Sequence, residues 1–239
     1  MAVCSIIWST SIPWKLIFWK LMTMFLTSSR FSIRTHTKTL RRNLRLTARE
    51  MAWVSGWASD ISIWEDEIYE RFPDYSHRFI DYFELVESDF NVMPESEIVV
   101  GWSLGTLALL NNLDRKAEEQ KWILVCPITD FCACWRPAEV MATTLESFAA
   151  LLGDVDGKDK WMENAMRYSP EQLRAGLEFL VKTHVSVETD NYPSLQCDAT
   201  IHAFFGAQDK IVPIKQCEGT VCENLGHWLP DYYSKLEYF

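Results

Sequence analysis

A serine flanked by glycines is the feature of this sequence best suited to covalent chemistry. Residues 101–105 are Gly-Trp-Ser-Leu-Gly, which matches the pattern G-x-S-x-G with Ser103 at its centre. Apolar runs at 97–100 and 104–113 surround it and predict a strand, a sharp turn and a helix. On such a turn the hydroxyl projects outward, and the flanking glycines remove Cβ atoms that would clash. The pattern therefore predicts Ser103 as a nucleophile, with a chance glycine-rich turn as the alternative.

A serine hydroxyl needs a base to take its proton, and histidine is the residue type that most often does so. The histidines of the chain are His36, His77, His184, His202 and His227. His227 follows Ser103 in the chain and lies in Leu-Gly-His-Trp at 225–228, a predicted loop before the last helix. His202 lies in a predicted buried strand and His184 ends a predicted helix, which favours structural roles for both. We therefore expect His227 to be the base.

A carboxylate is needed to orient that histidine and to stabilise its charged form. It should follow a late strand and precede His227 in the chain. Asp209 meets both conditions, because it follows a strand that is predicted to end at Gly206. Asp130, which follows an earlier strand, is the second choice, and an ordinary turn aspartate is the alternative for Asp209.

Two main-chain N–H groups are expected to stabilise the negative oxygen of a tetrahedral intermediate. Leu104, directly after Ser103, is predicted to supply one of them. Trp57, in Ser-Gly-Trp at 55–57 after the first predicted strand, is predicted to supply the other. The side chains of Trp57 and Trp102 are each expected to form a wall of a substrate pocket or to belong to the core.

The elements that must position these residues alternate between strand and helix from Met51 onward. This alternation predicts an α/β fold with a mostly parallel sheet flanked by helices. The predicted strands lie at 51–55, 77–83, 97–100, 122–126 and 200–205. The predicted helices of this core lie at 61–72, 104–113 and 231–238.

A helical insertion interrupts the alternation after the strand at 122–126. Its predicted helices lie at 137–152, 158–168 and 170–183. Ser169 and Pro170 are a favourable helix start, with the serine as cap and the proline at the first position. We therefore predict a core formed by 51–127 and 197–239 and a helical lid at 128–196.

The charge and composition of the chain limit its partners. Its 239 residues hold 23 Lys and Arg against 33 Asp and Glu, a net charge of −10, so binding of a phosphate backbone is not expected. No run reaches the ~18 uncharged apolar residues of a membrane span. The seven cysteines form no C-x-x-C pair, which favours reduced thiols in a cytoplasmic protein. Neither a glycine-rich phosphate loop nor H-E-x-x-H occurs, so no cofactor or metal is implied.

The first fifty residues differ in kind from the rest. Residues 1–50 hold nine of the 23 basic residues and a single acid, Glu50. One interpretation is an upstream frame translated from a misplaced start, because Met51 begins a well-formed strand. The other is a targeting segment, since the composition overlaps with that of transit peptides. We favour the first and predict that this extension lies outside the fold.

Taken together, the motifs resemble the α/β-hydrolase superfamily and, within it, the pimeloyl-[acyl-carrier protein] methyl ester esterases of biotin synthesis. The resemblance covers 51–239 and rests on the lid and on four motifs: Gly-Trp at 56–57, Gly-Trp-Ser-Leu-Gly at 101–105, Gly-Ala-Gln-Asp-Lys-Ile-Val-Pro at 206–213 and Gly-His-Trp at 226–228. It implies a serine carboxylesterase that uses Ser103, Asp209 and His227 without a cofactor. It further implies a carrier-linked pimeloyl substrate, cut at its methyl ester.

Several features depart from that family and keep other functions open. Ser55 stands where the family commonly has histidine, Thr106 stands where a glycine often occurs, and the stretches 57–103 and 209–227 are short. The lid region holds six Lys and Arg against eleven acids, which argues against docking of an acidic carrier. A generic short-chain carboxylesterase, a thioesterase and a non-catalytic binding protein remain the alternatives. The oligomeric state is left open.

Overall fold

A six-stranded parallel sheet forms the centre of the molecule. The computed structural model describes residues 49–185, 200–213 and 217–239. Its strands are β1 (Arg49–Val54), β2 (Tyr75–Ile80), β3 (Ile98–Trp102), β4 (Lys121–Val125), β5 (Ile201–Gly206) and β6 (Thr220–Cys222). They lie in the order β2-β1-β3-β4-β5-β6, and every neighbouring pair is parallel. His36, Cys4, Cys197 and the extension at 1–48 lie outside the described residues.

Helices cover the sheet and continue into the insertion between β4 and β5. In the described residues the core helices are α1 (Glu65–Arg71), α2 (Tyr82–Glu87), α3 (Leu104–Leu110) and α8 (Tyr233–Leu236). The insertion carries α4 (Pro137–Met141), α5 (Leu145–Leu152), α6 (Lys158–Ala165) and α7 (Pro170–Lys182). Among the described residues, no helix is both long and apolar enough to cross a bilayer.

The apolar runs of the central strands are buried on both faces of the sheet. All five residues of β3 are buried, as are the last four of β4. Continuous burial of this kind is typical of a parallel sheet covered by helices on both sides. In the sheet, β2 lies on one side of β1 and β3 lies on its other side. The loops that leave β1 and β3 therefore diverge, and a crevice forms at the carboxyl ends of these strands, where α/β proteins bind ligands.

Most predicted elements are present, with shifted ends. The strand predicted at 51–55 begins at Arg49, whose guanidinium pairs with Glu97 at 2.7 Å, so two residues of the predicted extension belong to the sheet. The extended segment predicted at 77–83 was wrong at its end, because the chain turns at Asp81 into α2. The short stretch between Asp209 and His227 still holds a strand, β6, which was not predicted.

The insertion is helical, as predicted, but the helix predicted at 137–152 is divided in two. Thr144 caps the second part by accepting a hydrogen bond from the main-chain N–H of Ser147, 3.2 Å away. Two consecutive threonines favour such a break, because their hydroxyls compete for main-chain groups. The predicted start at Ser169 and Pro170 is confirmed, since Ser169 accepts from the N–H of Gln172. Residues 186–196 of the predicted lid lie outside the described part.

Candidate active site

Ser103 lies on a strained turn between β3 and α3. Its φ of +53° is in the left-handed region, which costs a residue other than glycine on the order of 1–3 kcal/mol. The main-chain N–H of Ser103 donates to Val125 of the neighbouring strand at 3.0 Å, which holds the turn to the sheet. Strain of this kind persists only where the surroundings impose it.

Two glycines make this turn possible. A Cβ at Gly105 would lie 2.5 Å from the carbonyl oxygens of Val54 and Ser55, so α3 approaches the end of β1 too closely for any side chain. A Cβ at Gly101 would lie 2.7 Å from Leu109 of the same helix. The predicted reason is therefore confirmed for Gly105, where main-chain atoms block a side chain, whereas at Gly101 the nearest atom is the mobile end of Leu109.

His227 contacts Ser103 through one ring nitrogen. Its Nε2 lies 2.7 Å from Ser103 Oγ, although 124 residues separate them in the chain. The loop that carries the ring is held through its main chain: Trp102 donates to the carbonyl of His227 at 2.8 Å, and Tyr232 donates to that of Gly226 at 2.6 Å. Gly206 lets the loop approach β5, because a Cβ there would lie 2.3 Å from Gly226 O.

Asp209 contacts the other ring nitrogen of His227. Its Oδ2 lies 2.7 Å from Nδ1, and its Oδ1 accepts the main-chain N–H groups of Ile211 and Val212, each at 2.8 Å. Burial alone would raise the pKa of Asp209. The positive charge and hydrogen bond of His227, with the two N–H donors, outweigh burial and hold that pKa below its ordinary value.

The three side chains are arranged for proton transfer. An ionised Asp209 can only accept, so Nδ1 of His227 carries the proton and Nε2 is left to accept the hydroxyl proton of Ser103. All three residues are buried, with exposures of 4% for Ser103, 6% for Asp209 and 3% for His227. Burial strengthens these hydrogen bonds because water does not compete for them. The structure thus brings together the three residues that the sequence singled out.

The two predicted oxyanion donors lie beside Ser103. Leu104 begins α3, where the first N–H groups of a helix have no partner within the helix. The loop that carries Trp57 also lies close, since a Cβ at Gly56 would be 3.3 Å from Ser103 Cβ. Within the described residues, neither Leu104 nor Trp57 donates its main-chain N–H to another group. The oxyanion role of these two N–H groups stays a prediction.

The side chains of the two candidate tryptophans have different places. Trp57 lines the cavity over Ser103, and its indole N–H donates to Leu173 of α7 at 2.9 Å. Trp102 does not line that cavity. Its ring lies 6.0 Å from each of Trp64 and Trp228, edge to face, in the core behind the His227 loop.

A cavity of about 420 Å³ lies over Ser103, between the sheet and the insertion. The side chains that line it are mostly apolar: Trp57, Ile128, Phe131, Trp135, Val140, Ala142, Phe148, Leu151, Leu177, Leu180 and Ile211. Ser103, Thr143, Ser147 and the single charged residue Glu139 complete the lining. Ser103 therefore faces a largely apolar space of the size of a small ligand.

The other acid and the other described histidines that the sequence offered make contacts away from Ser103. Asp130, the second choice of acid, accepts from the N–H of Cys132 at 2.9 Å and caps a short helical turn. His184 pairs with Asp130 through an isolated bridge. The ring of His202 lies 4.4 Å from Phe239, and Nδ1 of His77 accepts the indole N–H of Trp53.

Sequence reasoning missed two residues beside the Asp209–His227 pair. The buried thiol of Cys126 donates to Gly226 O at 3.6 Å and lies 3.4 Å from the hydroxyl of Tyr232. No local motif marks either residue, because only the fold brings the end of β4 to the start of α8. Burial, followed by the charge of Asp209, raises the pKa of Cys126 well above its ordinary value, so its thiol is neutral.

Three residues beside Ser103 are of types that can bind a metal ion. Among the described residues, Cys126, Asp209 and His227 form a group whose ligand atoms lie within 4.8 Å of one another. Zinc binds such residue types elsewhere. Here the oxygens of Asp209 and the nitrogens of His227 are engaged with each other, with Ser103 and with the main chain. The arrangement suits proton transfer better than metal binding.

Comparisons with known proteins identify the fold. No described protein family and no curated protein matches the sequence. The solved structure of an esterase from Exiguobacterium antarcticum is similar, with a TM-score of 0.60, 15% identity and coverage of 80% of this chain and 90% of that one. An esterase from Rhodococcus sp. ECU1013 has a TM-score of 0.54 at 16% identity and the same coverages. The carboxylesterase CesB from Bacillus subtilis has a TM-score of 0.50 and 17% identity, with coverage of 80% of this chain and 82% of that one. The predicted α/β-hydrolase fold is confirmed.

Proposed function

We propose that this protein is a serine hydrolase that cleaves carboxylic esters. The observation that carries the proposal is the continuous hydrogen-bonded array from Ser103 Oγ through His227 to Asp209, under an apolar cavity. The strained turn at Ser103 and the unused N–H groups of Leu104 and Trp57 supply the two further parts that acyl transfer requires. The names of the three similar structures, all esterases, support the same class of substrate.

The geometry supports a two-step reaction. Ser103 Oγ attacks the ester carbonyl while its proton passes to Nε2 of His227, and the carbonyl oxygen becomes an oxyanion held by Leu104 and Trp57. Collapse breaks the ester bond, and His227 returns the proton to the leaving alcohol. Water then gives a proton to His227 and attacks the acyl-serine, which releases the acid and restores the hydroxyl. Asp209 stays ionised throughout and orients His227.

A carrier-linked pimeloyl methyl ester is the finer substrate that the family resemblance implies. Five of the six described basic residues of the insertion give it little support. Arg136 pairs with Glu139, and Arg174 and Lys182 both pair with Glu178. Lys158 and Lys160 donate to main-chain carbonyls. A positively charged surface for an acidic carrier is therefore weak, and a free small-molecule ester is favoured.

The experiment uses the full chain with p-nitrophenyl esters of increasing acyl length and a fluorophosphonate probe, which reacts only with an activated serine. We expect hydrolysis and labelling by the wild type, and loss of both in Ser103→Ala. The control is Ser234→Ala, which removes an exposed hydroxyl of α8 and should leave both intact.

Two results would contradict the proposal. One is a folded wild-type protein that neither hydrolyses any ester nor takes the probe, which would favour the binding-protein alternative. The other is hydrolysis that persists in Ser103→Ala, which would place the chemistry elsewhere.

A further inference from the structure

The cavity over Ser103 has an apolar interior and a polar rim. The lining residues that are buried are all apolar apart from Ser103 itself, and they include Ile128, Val140 and Leu177. Three polar residues of the lining are exposed or half-exposed. They come from α4, α5 and the turn between them: Glu139, Thr143 and Ser147. These three residues define the rim. An acyl chain attached to Ser103 therefore has an apolar path that leads towards Glu139.

Glu139 lies at the rim and forms an ion pair with Arg136. Its Oε1 accepts from Nη2 and Nε of Arg136 at 2.5 and 3.0 Å, and its Oε2 accepts from the main-chain N–H of Arg136 at 3.0 Å. These hydrogen bonds lower the pKa of Glu139, so it stays ionised. Arg136 does not line the cavity, and its side chain is 82% exposed. The cavity lining therefore includes the anionic residue of this pair and not the cationic one.

The rim is fixed in place relative to the sheet. Trp135, just before α4, donates its indole N–H to Ile211 O at 2.7 Å, next to the segment that positions Asp209. Trp161 of α6 donates to Ser59 Oγ at 2.7 Å, and Trp57 donates to Leu173 O. Since the insertion is hydrogen-bonded to the core on several sides, Glu139 stays at the rim when a ligand is bound.

We propose that Glu139 is a specificity-determining residue that makes the cavity select acyl chains with an uncharged end over chains that end in a carboxylate. This inference rests on the proposed ester hydrolysis. A terminal carboxylate that stays in the interior loses its water without gaining a partner. One that reaches the rim lies near a second negative charge, and the two repel each other.

The test compares p-nitrophenyl octanoate with mono-p-nitrophenyl suberate, which have acyl chains of equal length and differ in the terminal carboxylate. We expect kcat/KM for the octanoate to exceed that for the suberate by about tenfold or more. Glu139→Gln should narrow this ratio by about threefold, and Arg136→Ala should widen it, because the two changes shift the charge at the rim in opposite directions. Added salt should weaken both effects.

The matched control is Glu163→Gln, which removes one exposed charge of α6 outside the cavity lining and should leave the ratio unchanged. Equal cleavage of the two esters by the wild type, or the same shift in the Glu163 and Glu139 variants, would overturn the inference. Cleavage of acetate esters but of neither longer ester would also overturn it and leave the proposed function intact. Absence of both hydrolysis and probe labelling would overturn the proposed function as well.

Discussion

The indole N–H of Trp102 donates a hydrogen bond of 2.8 Å to the main-chain carbonyl of His227. Trp102 is the residue directly before Ser103, so the same strand end carries Ser103 and holds the loop of His227. The indole is buried between Trp64 and Trp228, which leaves it little freedom to move. The distance between Ser103 and His227 is thus set by one rigid contact as well as by the sheet.

Trp102→Phe should lower kcat by about 10–100-fold, because a displacement of the base by a fraction of an ångström is costly in rate. Loss of the donor also leaves a buried carbonyl unpaired, at a cost of about 1–3 kcal/mol in the free energy of unfolding. Steady-state kinetics and urea unfolding measure the two effects.

Trp122→Phe is the control for that experiment. Trp122 is also fully buried and donates one indole hydrogen bond, to Gln120 at 2.7 Å, but it lies at the opposite end of its strand from the site. Its variant should lose similar stability with kcat little changed. An equal loss of kcat in both variants would mean that Trp102 acts only through stability.

Gly105→Ala should abolish activity and cost about 3 kcal/mol or more of unfolding free energy. The new methyl group would meet two main-chain oxygens at 2.5 Å, which cannot move without separating α3 from β1. Gly153→Ala is the control: its φ of +82° costs about 1–2 kcal/mol, yet nothing lies within 4 Å of the added Cβ. Thermal unfolding and ester hydrolysis distinguish them, and an active Gly105→Ala enzyme would refute the packing argument.

The sequence alone predicted a site residue where the same short segment also holds the residues that its local backbone geometry needs. Ser103 lies between the glycines that its turn needs, and Asp209 follows a strand that ends in glycine. The break before Thr144 and the helix α2 were missed, because each depends on which of several weak capping signals tertiary packing selects. The contact between Cys126 and Tyr232 could not be predicted, because the two residues lie 106 positions apart in the chain and only the fold brings them together.

Asp209→Asn should reduce kcat by about 10⁴-fold with little change in KM. An amide can donate as well as accept, so it no longer holds the proton on Nδ1 of His227, and Nε2 loses its capacity to accept from Ser103. Stopped-time assays with the preferred ester measure the loss. A reduction of less than tenfold would contradict the role assigned to the carboxylate of Asp209.

The same variant tests the pH dependence of stability. The pKa of Asp209 is lower in the folded protein than in the unfolded chain, so its carboxylate stabilises the fold at pH values above about 4. That contribution is lost as the pH falls through the folded pKa. Urea unfolding of the wild type and of Asp209→Asn should therefore differ most near neutral pH and converge in acid. A difference that stays constant or grows in acid would contradict this sign.

The thiol of Cys126 should resist alkylation in the folded protein. Burial, followed by the negative charge of Asp209, raises its pKa, and only the thiolate reacts with iodoacetamide. Cys134 is half-exposed and serves as the internal comparison. Peptide mass spectrometry over a time course should show Cys134 modified first and Cys126 modified only in denaturant, with ester hydrolysis retained until then. Rapid modification of Cys126 under native conditions would mean that the loop carrying His227 opens, and the rigid contact between Trp102 and His227 would then be wrong.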